Sequence, residues 1–199
     1  MKKLTLISKG LLGTTCAASI LGYGITANAA GLISVSLELA LLIDGSGSIS
    51  GREFDNQLNA LHNIFNDGNF YSDFVQPLKG KEVQDHNNPD QTVVINDPSI
   101  AVSIYQFGSQ VNTTNGRSTA ILEQIVDWTL FDEGNQSGMG GLDPVNVDQV
   151  GGFTPIGEML NSIIDEFSDN AYDGHKTVNI SSDGFETNSK NPIGPIRTS

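Results

Sequence analysis

Between Leu37 and Ser50 the chain reads LELALLIDGSGSIS, an apolar run that stops at an acid and passes into two serines spaced by glycine. The run Leu39-Ala40-Leu41-Leu42-Ile43 does not alternate with polar residues, which is the pattern of a strand buried on both faces of a parallel sheet. The expected fold class is therefore α/β: a doubly wound, mostly parallel central sheet flanked by helices. Asp44 falls at the carboxyl end of that central strand. In open α/β sheets ligands bind at this edge, because the loops diverge there and the next helix points its positive N-terminus at the crevice. Asp44, Ser46 and Ser48 offer one carboxylate and two hydroxyls from a tight loop, in which Gly45 and Gly47 let the backbone turn without a Cβ clash. Hard oxygen donors of this kind suit Mg²⁺ or Mn²⁺ and not a soft metal.

Two later segments carry matching chemistry. In GGFTPIGEML, Thr154 precedes Pro155, and Ile156, Met159, Leu160, Ile163, Ile164 and Phe167 then make an apolar helical face. By itself Thr154 is explained as an N-cap hydroxyl, with Pro155 at the first helical position. In TVNISSDGFETN a strand over Thr177 to Ser181 is closed by Asp183-Gly184. Asp183 alone is a turn residue. Since it follows an apolar strand as Asp44 does, it should face the same crevice.

With these three pieces the chain resembles the von Willebrand factor A (VWA) family, whose metal-ion-dependent adhesion site (MIDAS) opens with D-x-S-x-S, here Asp44, Ser46 and Ser48. The resemblance spans roughly residues 37–187 and is closest to bacterial exported members. It implies a Rossmann-like VWA fold and a metal held by Asp44, Ser46, Ser48, Thr154 and Asp183. In the family's pattern the two serines coordinate directly, the threonine directly or through water, and the two aspartates mostly through water. The implied cofactor is Mg²⁺, or Mn²⁺, with Ca²⁺ possible. The implied partner is a protein offering an acidic side chain to the ion. Complete family members carry one or two further strand and helix pairs, so the C-terminal units are expected to be missing here.

Residues 1–29 read as a secretory signal peptide: Lys2, Lys3 and Lys9, then a small and apolar stretch broken by glycines, then Ala27-Asn28-Ala29 as the cleavage signal. The glycines speak against a membrane anchor. Residues 30–199 are expected to form one VWA-like domain, exported to the periplasm, the cell surface or the medium. Cys16, the only cysteine, leaves with the signal, so the mature chain has no disulfide. Losing Lys2, Lys3 and Lys9 leaves seven basic residues against 23 acids, a net charge of −16. Between Lys81 and Lys176 the only Lys or Arg is Arg117, so no basic patch offsets this. Nucleic acid and anionic membrane are excluded as partners.

The remaining segments read as scaffold. Ser50 and Glu53 form a capping box for a helix over residues 51–66, with Phe54, Leu58, Leu61 and Phe65 on its inner face and His62 beside it. Phe70, Phe74 and Leu78 continue a helical spacing into the core. KGKEVQDHNNPD, over 79–90, is an exposed loop whose Asp85, His86 and Asp90 fit no calcium spacing. Residues 92–95 and 100–107 read as a β-hairpin across Asn96-Asp97-Pro98. Residues 120–130 fit a helix or a strand equally. The glycine-rich stretch from Phe131 to Gly152 is a loop without a phosphate-binding lysine, and its Asp143, Asn146 and Asp148 make no calcium loop.

The expected role is non-catalytic: metal-bridged adhesion or assembly. A structural scaffold with a purely stabilising metal is the alternative. An extracytoplasmic hydrolase ranks below both, because Ser46 and Ser48 lie in no G-x-S-x-G elbow and no histidine is well placed to act as their base.

Overall fold

In the computed structural model, residues 31–111, 118–139 and 146–184 are described. The signal-peptide segment, Asp143 and the chain beyond Gly184 lie outside them. The chain divides into Met1–Leu32 and Ile33–Ser199, and every element below belongs to the second unit. These elements are β1 (Ile33–Asp44), α1 (Gly51–Phe65), β2 (Glu82–Gln84), β3 (Thr92–Val94), β4 (Ile100–Val111), β5 (Ser118–Phe131), α2 (Ile156–Asp169) and β6 (Tyr172–Ser181).

The four-stranded sheet has the order β5-β4-β1-β6, so the apolar run is central as its lack of alternation implies. β1 is parallel to β4, from Leu37 opposite Ile100 to Asp44 opposite Phe107, and parallel to β6, ending with Ile43 opposite Ser181. β5 runs antiparallel to β4. The fold is thus mixed α/β around a mostly parallel sheet with helices on both faces. Ile43, Val102 and Ile104 pack with Phe54, Leu58 and Phe65 of α1. Ala40, Leu42, Tyr105 and Phe107 pack with Met159, Ile163 and Phe167 of α2. Each large side chain so buried stabilises the fold by about 1.5–3 kcal/mol. No helix among the described residues is long and apolar enough to cross a membrane.

Four sequence expectations are corrected and one reading left open is decided. Residues 92–95 and 100–107 do not form a hairpin. β4 is buried on both faces and pairs with β1, while β3 pairs with β2 in a separate two-stranded sheet. Part of the polar 79–90 segment is therefore strand. Its tip is closed by Asp85 N–H donating to the Gln91 carbonyl and by Asn87 N–H donating to Asp85 Oδ1, at 2.8 and 2.9 Å. The ambiguous 120–130 segment is strand. Register shifts between Val102 and Ile104 and between Ile104 and Tyr105 break the two-residue period, which is why its apolar pattern imitates a helix. Phe74 is 62% exposed instead of lying in the core. Tyr71–Val75 form a π turn, whose longer repeat puts Phe70 and Val75 inward together. Phe70 instead sits 4.8 Å, centroid to centroid, from both Phe65 and Phe131. Last, Ile164 of the presumed inner face of α2 is exposed.

One buried charge was not anticipated. Glu38, in the middle of β1, has 0% exposure, and its Oε1 accepts from Gly174 N–H at 2.8 Å and Lys176 Nζ at 2.9 Å. Its Oε2 accepts from Asn170 Nδ2 at 2.8 Å, so the carboxylate ties β6 and the end of α2 to β1. Glu38→Gln must turn a donor toward one of these three donors. A loss of about 1–3 kcal/mol is expected, read as a lower urea midpoint with an unchanged slope.

Candidate metal centre

The strand register brings the site together. With Ile43 opposite Ser181, β1 and β6 leave the sheet at the same level, and Asp44 and Ser182 emerge side by side. Asp44 is fully buried. Its Oδ1 accepts from Ser46 N–H at 2.8 Å, which bends the loop back over the strand end, and its Oδ2 accepts from Ser182 Oγ at 2.5 Å. Ser46 Oγ lies 3.0 Å from Ser48 Oγ and 3.0 Å from Thr154 Oγ1, which donates to it. Ser48 Oγ donates to Asp183 Oδ1 at 3.3 Å. All five residues expected from the sequence therefore join one connected cluster, in which Thr154 and Asp183 each lie more than a hundred residues beyond the serine loop.

Local structure explains each placement. Just past the loop the capping box forms as expected. Ser50 Oγ accepts from Glu53 N–H at 3.3 Å, and Glu53 Oε2 accepts from Ser50 N–H at 2.9 Å, which starts α1 immediately after the serines. The hydrogen bonds from the Ser50 hydroxyl and amide hold the Glu53 carboxyl below its usual range. Thr154 is not the N-cap of α2. Pro155 holds that position without a side-chain cap bond, so Pro155 is not the first helical residue, and the Thr154 hydroxyl is directed at Ser46. Gly45 is required by crowding: a Cβ there would meet Gln106 Oε1 at 2.7 Å. Neither Gly45 nor Gly47 is among the glycines with positive φ, so left-handed backbone freedom is not what this loop uses.

Burial divides the cluster. Asp44, Ser46 and Thr154 are buried, while Ser48 and Asp183 are exposed, so the group opens to solvent on one side. Phe153, 44% exposed, stands next to Thr154 in the chain. Among the described residues the ion pairs are His86–Asp173 and Lys176–Glu38, so no basic side chain neutralises Asp44 or Asp183. A buried carboxylate without a counter-charge is costly, and a cation bound beside it would relieve that cost.

The donor set fits a small hard cation. Neighbouring oxygens around a six-coordinate ion bound at about 2.0–2.1 Å stand about 2.8–3.0 Å apart. The Ser46–Ser48 and Ser46–Thr154 separations, both 3.0 Å, match that spacing. Among the described residues no group of three or more His, Cys, Asp or Glu is assembled for a metal. This cluster contains two carboxylates and is otherwise hydroxyl, a composition for Mg²⁺ or Mn²⁺ and not for a soft ion. The two serine hydroxyls bond to each other, to Thr154 and to Asp183.

The other candidate groups are otherwise engaged. His86 Nε2 lies 3.2 Å from Asp173 Oδ1, an interaction that holds the Asp173 carboxyl below its ordinary value. Asp85 accepts from Asn87 N–H, and the Asp148 carbonyl accepts from Gln106 Nε2 at 2.8 Å. Three contributors were not foreseen. Ser182 was hidden in plain view beside Asp183, and its hydroxyl next to a site aspartate was the available signal. Gln106 and Gln149 hold the loops; Gln106 is marked only by the Gln-Phe pair that ends its strand, and Gln149 has no local signature.

Compared with family models, curated proteins and solved structures, the chain gives no match.

Proposed function

We propose that this chain is an exported, divalent-metal-dependent protein-binding module of the VWA type, with Asp44, Ser46, Ser48, Thr154 and Asp183 as its metal site. The observation that carries the reading is the convergence of these five oxygen-bearing side chains, from the ends of β1 and β6 and the loop before α2, at one edge of the sheet. A mostly parallel sheet with helices on both faces is the scaffold that a doubly wound, Rossmann-like VWA fold requires.

Ser46, Ser48 and Thr154 would supply neutral oxygens to the ion, and Asp44 and Asp183 the balancing charge. Bound there, Mg²⁺, Mn²⁺ or Ca²⁺ supplies an electrophilic centre able to accept a carboxylate. Because the nearest donors are hydroxyls, the protein leaves much of that positive charge unneutralised, which favours a Glu or Asp side chain from a partner. The open side of the cluster, where Ser48 and Asp183 are exposed, is where such a partner would approach.

Thermal unfolding of the exported chain in EDTA, Mg²⁺, Mn²⁺ and Ca²⁺ tests the site. An ion at a hundred times its Kd raises stability by about 2.7 kcal/mol, so a clear rise with Mg²⁺ or Mn²⁺ is expected. No rise with any of the three ions overturns the metal site. A rise accompanied by partner capture that is indifferent to EDTA would convert the reading to a stabilising ion in a scaffold.

A further inference from the structure

The turn that presents the two serines is held at both ends by one side chain. Ile49 N–H donates to the Ser46 carbonyl at 3.2 Å, closing a four-residue turn with Ser46 and Ser48 in it. Gln149 Nε2 donates to the Ser46 carbonyl and to the Ile49 carbonyl, both at 2.9 Å, spanning the turn from the outside. Both partners are carbonyl oxygens, so the amide nitrogen must face them, and only an amide or a cation of this reach could serve.

Gln149 is in turn fixed from β4. Gln106, fully buried, donates through Nε2 to the Asp148 carbonyl at 2.8 Å and to Glu123 Oε2 at 2.8 Å, and its Oε1 accepts from Val150 N–H at 3.0 Å. The residues on either side of Gln149 are thereby pinned. Next to them Gly151 N–H donates to the Gly45 carbonyl at 2.7 Å and Gly47 N–H to the Gly152 carbonyl at 2.8 Å. This backbone seam holds the 148–152 loop against the 45–47 loop whether or not the Gln149 amide is present. Gln149 itself belongs to neither apolar cluster. Its amide is therefore spare as far as loop anchoring goes, and its two bonds act on the serine turn alone.

We infer that Gln149 is a positioning residue of the metal centre: it sets the spacing of the Ser46 and Ser48 hydroxyls and thereby the affinity for the ion, without touching the ion. The inference rests on the metal-site reading above. Groups that orient metal ligands through hydrogen bonds typically change affinity by about 10–100-fold when removed.

The test uses Mn²⁺ alone, titrated into the exported chain with free ion followed by electron paramagnetic resonance. Gln149→Met keeps the length and removes the donor. Gln149→Glu keeps the shape and turns a carboxylate toward two carbonyls. Both should weaken Mn²⁺ binding by about tenfold or more while circular dichroism stays native. Glu38→Gln is the control, because it loosens the far part of the sheet, lowers the melting temperature and should leave the Mn²⁺ Kd unchanged. If the native chain binds Mn²⁺ and both Gln149 variants bind it equally well, the inference is overturned while the metal site stands. If Glu38→Gln weakens binding as much as they do, the effect is general stability and the inference also falls. A native chain that binds no Mn²⁺ overturns the metal-site reading itself.

Discussion

Asp44→Asn is expected to abolish the rise in melting temperature that Mg²⁺ gives the native chain, yet in EDTA to be as stable as the native chain or more so. The two halves of this result have one cause. Asp44 is fully buried, and among the described residues its carboxylate accepts two hydrogen bonds, from Ser46 N–H and Ser182 Oγ. Asparagine keeps both: its carbonyl oxygen accepts from Ser46, and the Ser182 hydroxyl can rotate to accept from the new amide. What disappears is a charge whose burial without a cation costs several kcal/mol. The metal-free fold therefore gains or breaks even, while the ion loses its buried counter-charge. With Mg²⁺ at a hundred times the native Kd the lost increment is about 2.7 kcal/mol, or about 5–10 °C for a chain of this size. Calorimetry of both chains with and without EDTA reads it directly. A variant that still responds to Mg²⁺, or one that collapses in EDTA, would show that Asp44 serves the fold and not an ion.

The parts of the site legible in the sequence are those whose chemistry is local. D-x-S-x-S is contiguous because one turn at a strand end can present three donors, whereas Thr154 and Asp183 read alone as an N-cap and a turn residue and joined the set only through the resemblance to the VWA family. The central place of β1 was legible for a similar reason, since burial on both faces removes the polar alternation that any other strand shows. What was not legible depends on partners far along the chain. Gln106 and Gln149 act on backbone atoms about forty and a hundred residues away; Gln106 stands out only as the Q-F end of its strand, and nothing in the neighbours of Gln149 marks it. Glu38 went unread beside the apolar run, because its partners Gly174 and Lys176 reach it only through the pairing of β6 with β1. The ambiguity at β5 and the error at Phe74 have a different origin: a bulged register and a π turn each change the repeat on which apolar patterns are read.

The seam that carries Thr154 to the serines makes the sharpest steric demand among the described glycines, and it separates two adjacent ones. Gly151 and Gly152 both have positive φ, +80° and +75°. At Gly151 a Cβ would meet nothing within 4 Å, so Gly151→Ala is expected to cost only the left-handed backbone term, about 1–2 kcal/mol. At Gly152 the Cβ would fall 1.9 Å from the Ser109 carbonyl oxygen and 2.5 Å from its Oγ, the same hydroxyl that accepts from Phe153 N–H at 2.6 Å. The loop would have to leave β4, giving up that bond and the one from Gly47 N–H to the Gly152 carbonyl, which opens the cluster on the Thr154 side. Gly152→Ala should therefore cost about 3–5 kcal/mol in urea unfolding and remove the Mg²⁺-dependent increment, whereas Gly151→Ala should keep it. Equal costs for the two substitutions would mean that the loop is not clamped between β1 and β4, and that the Thr154 hydroxyl reaches Ser46 by chance of packing and not by construction.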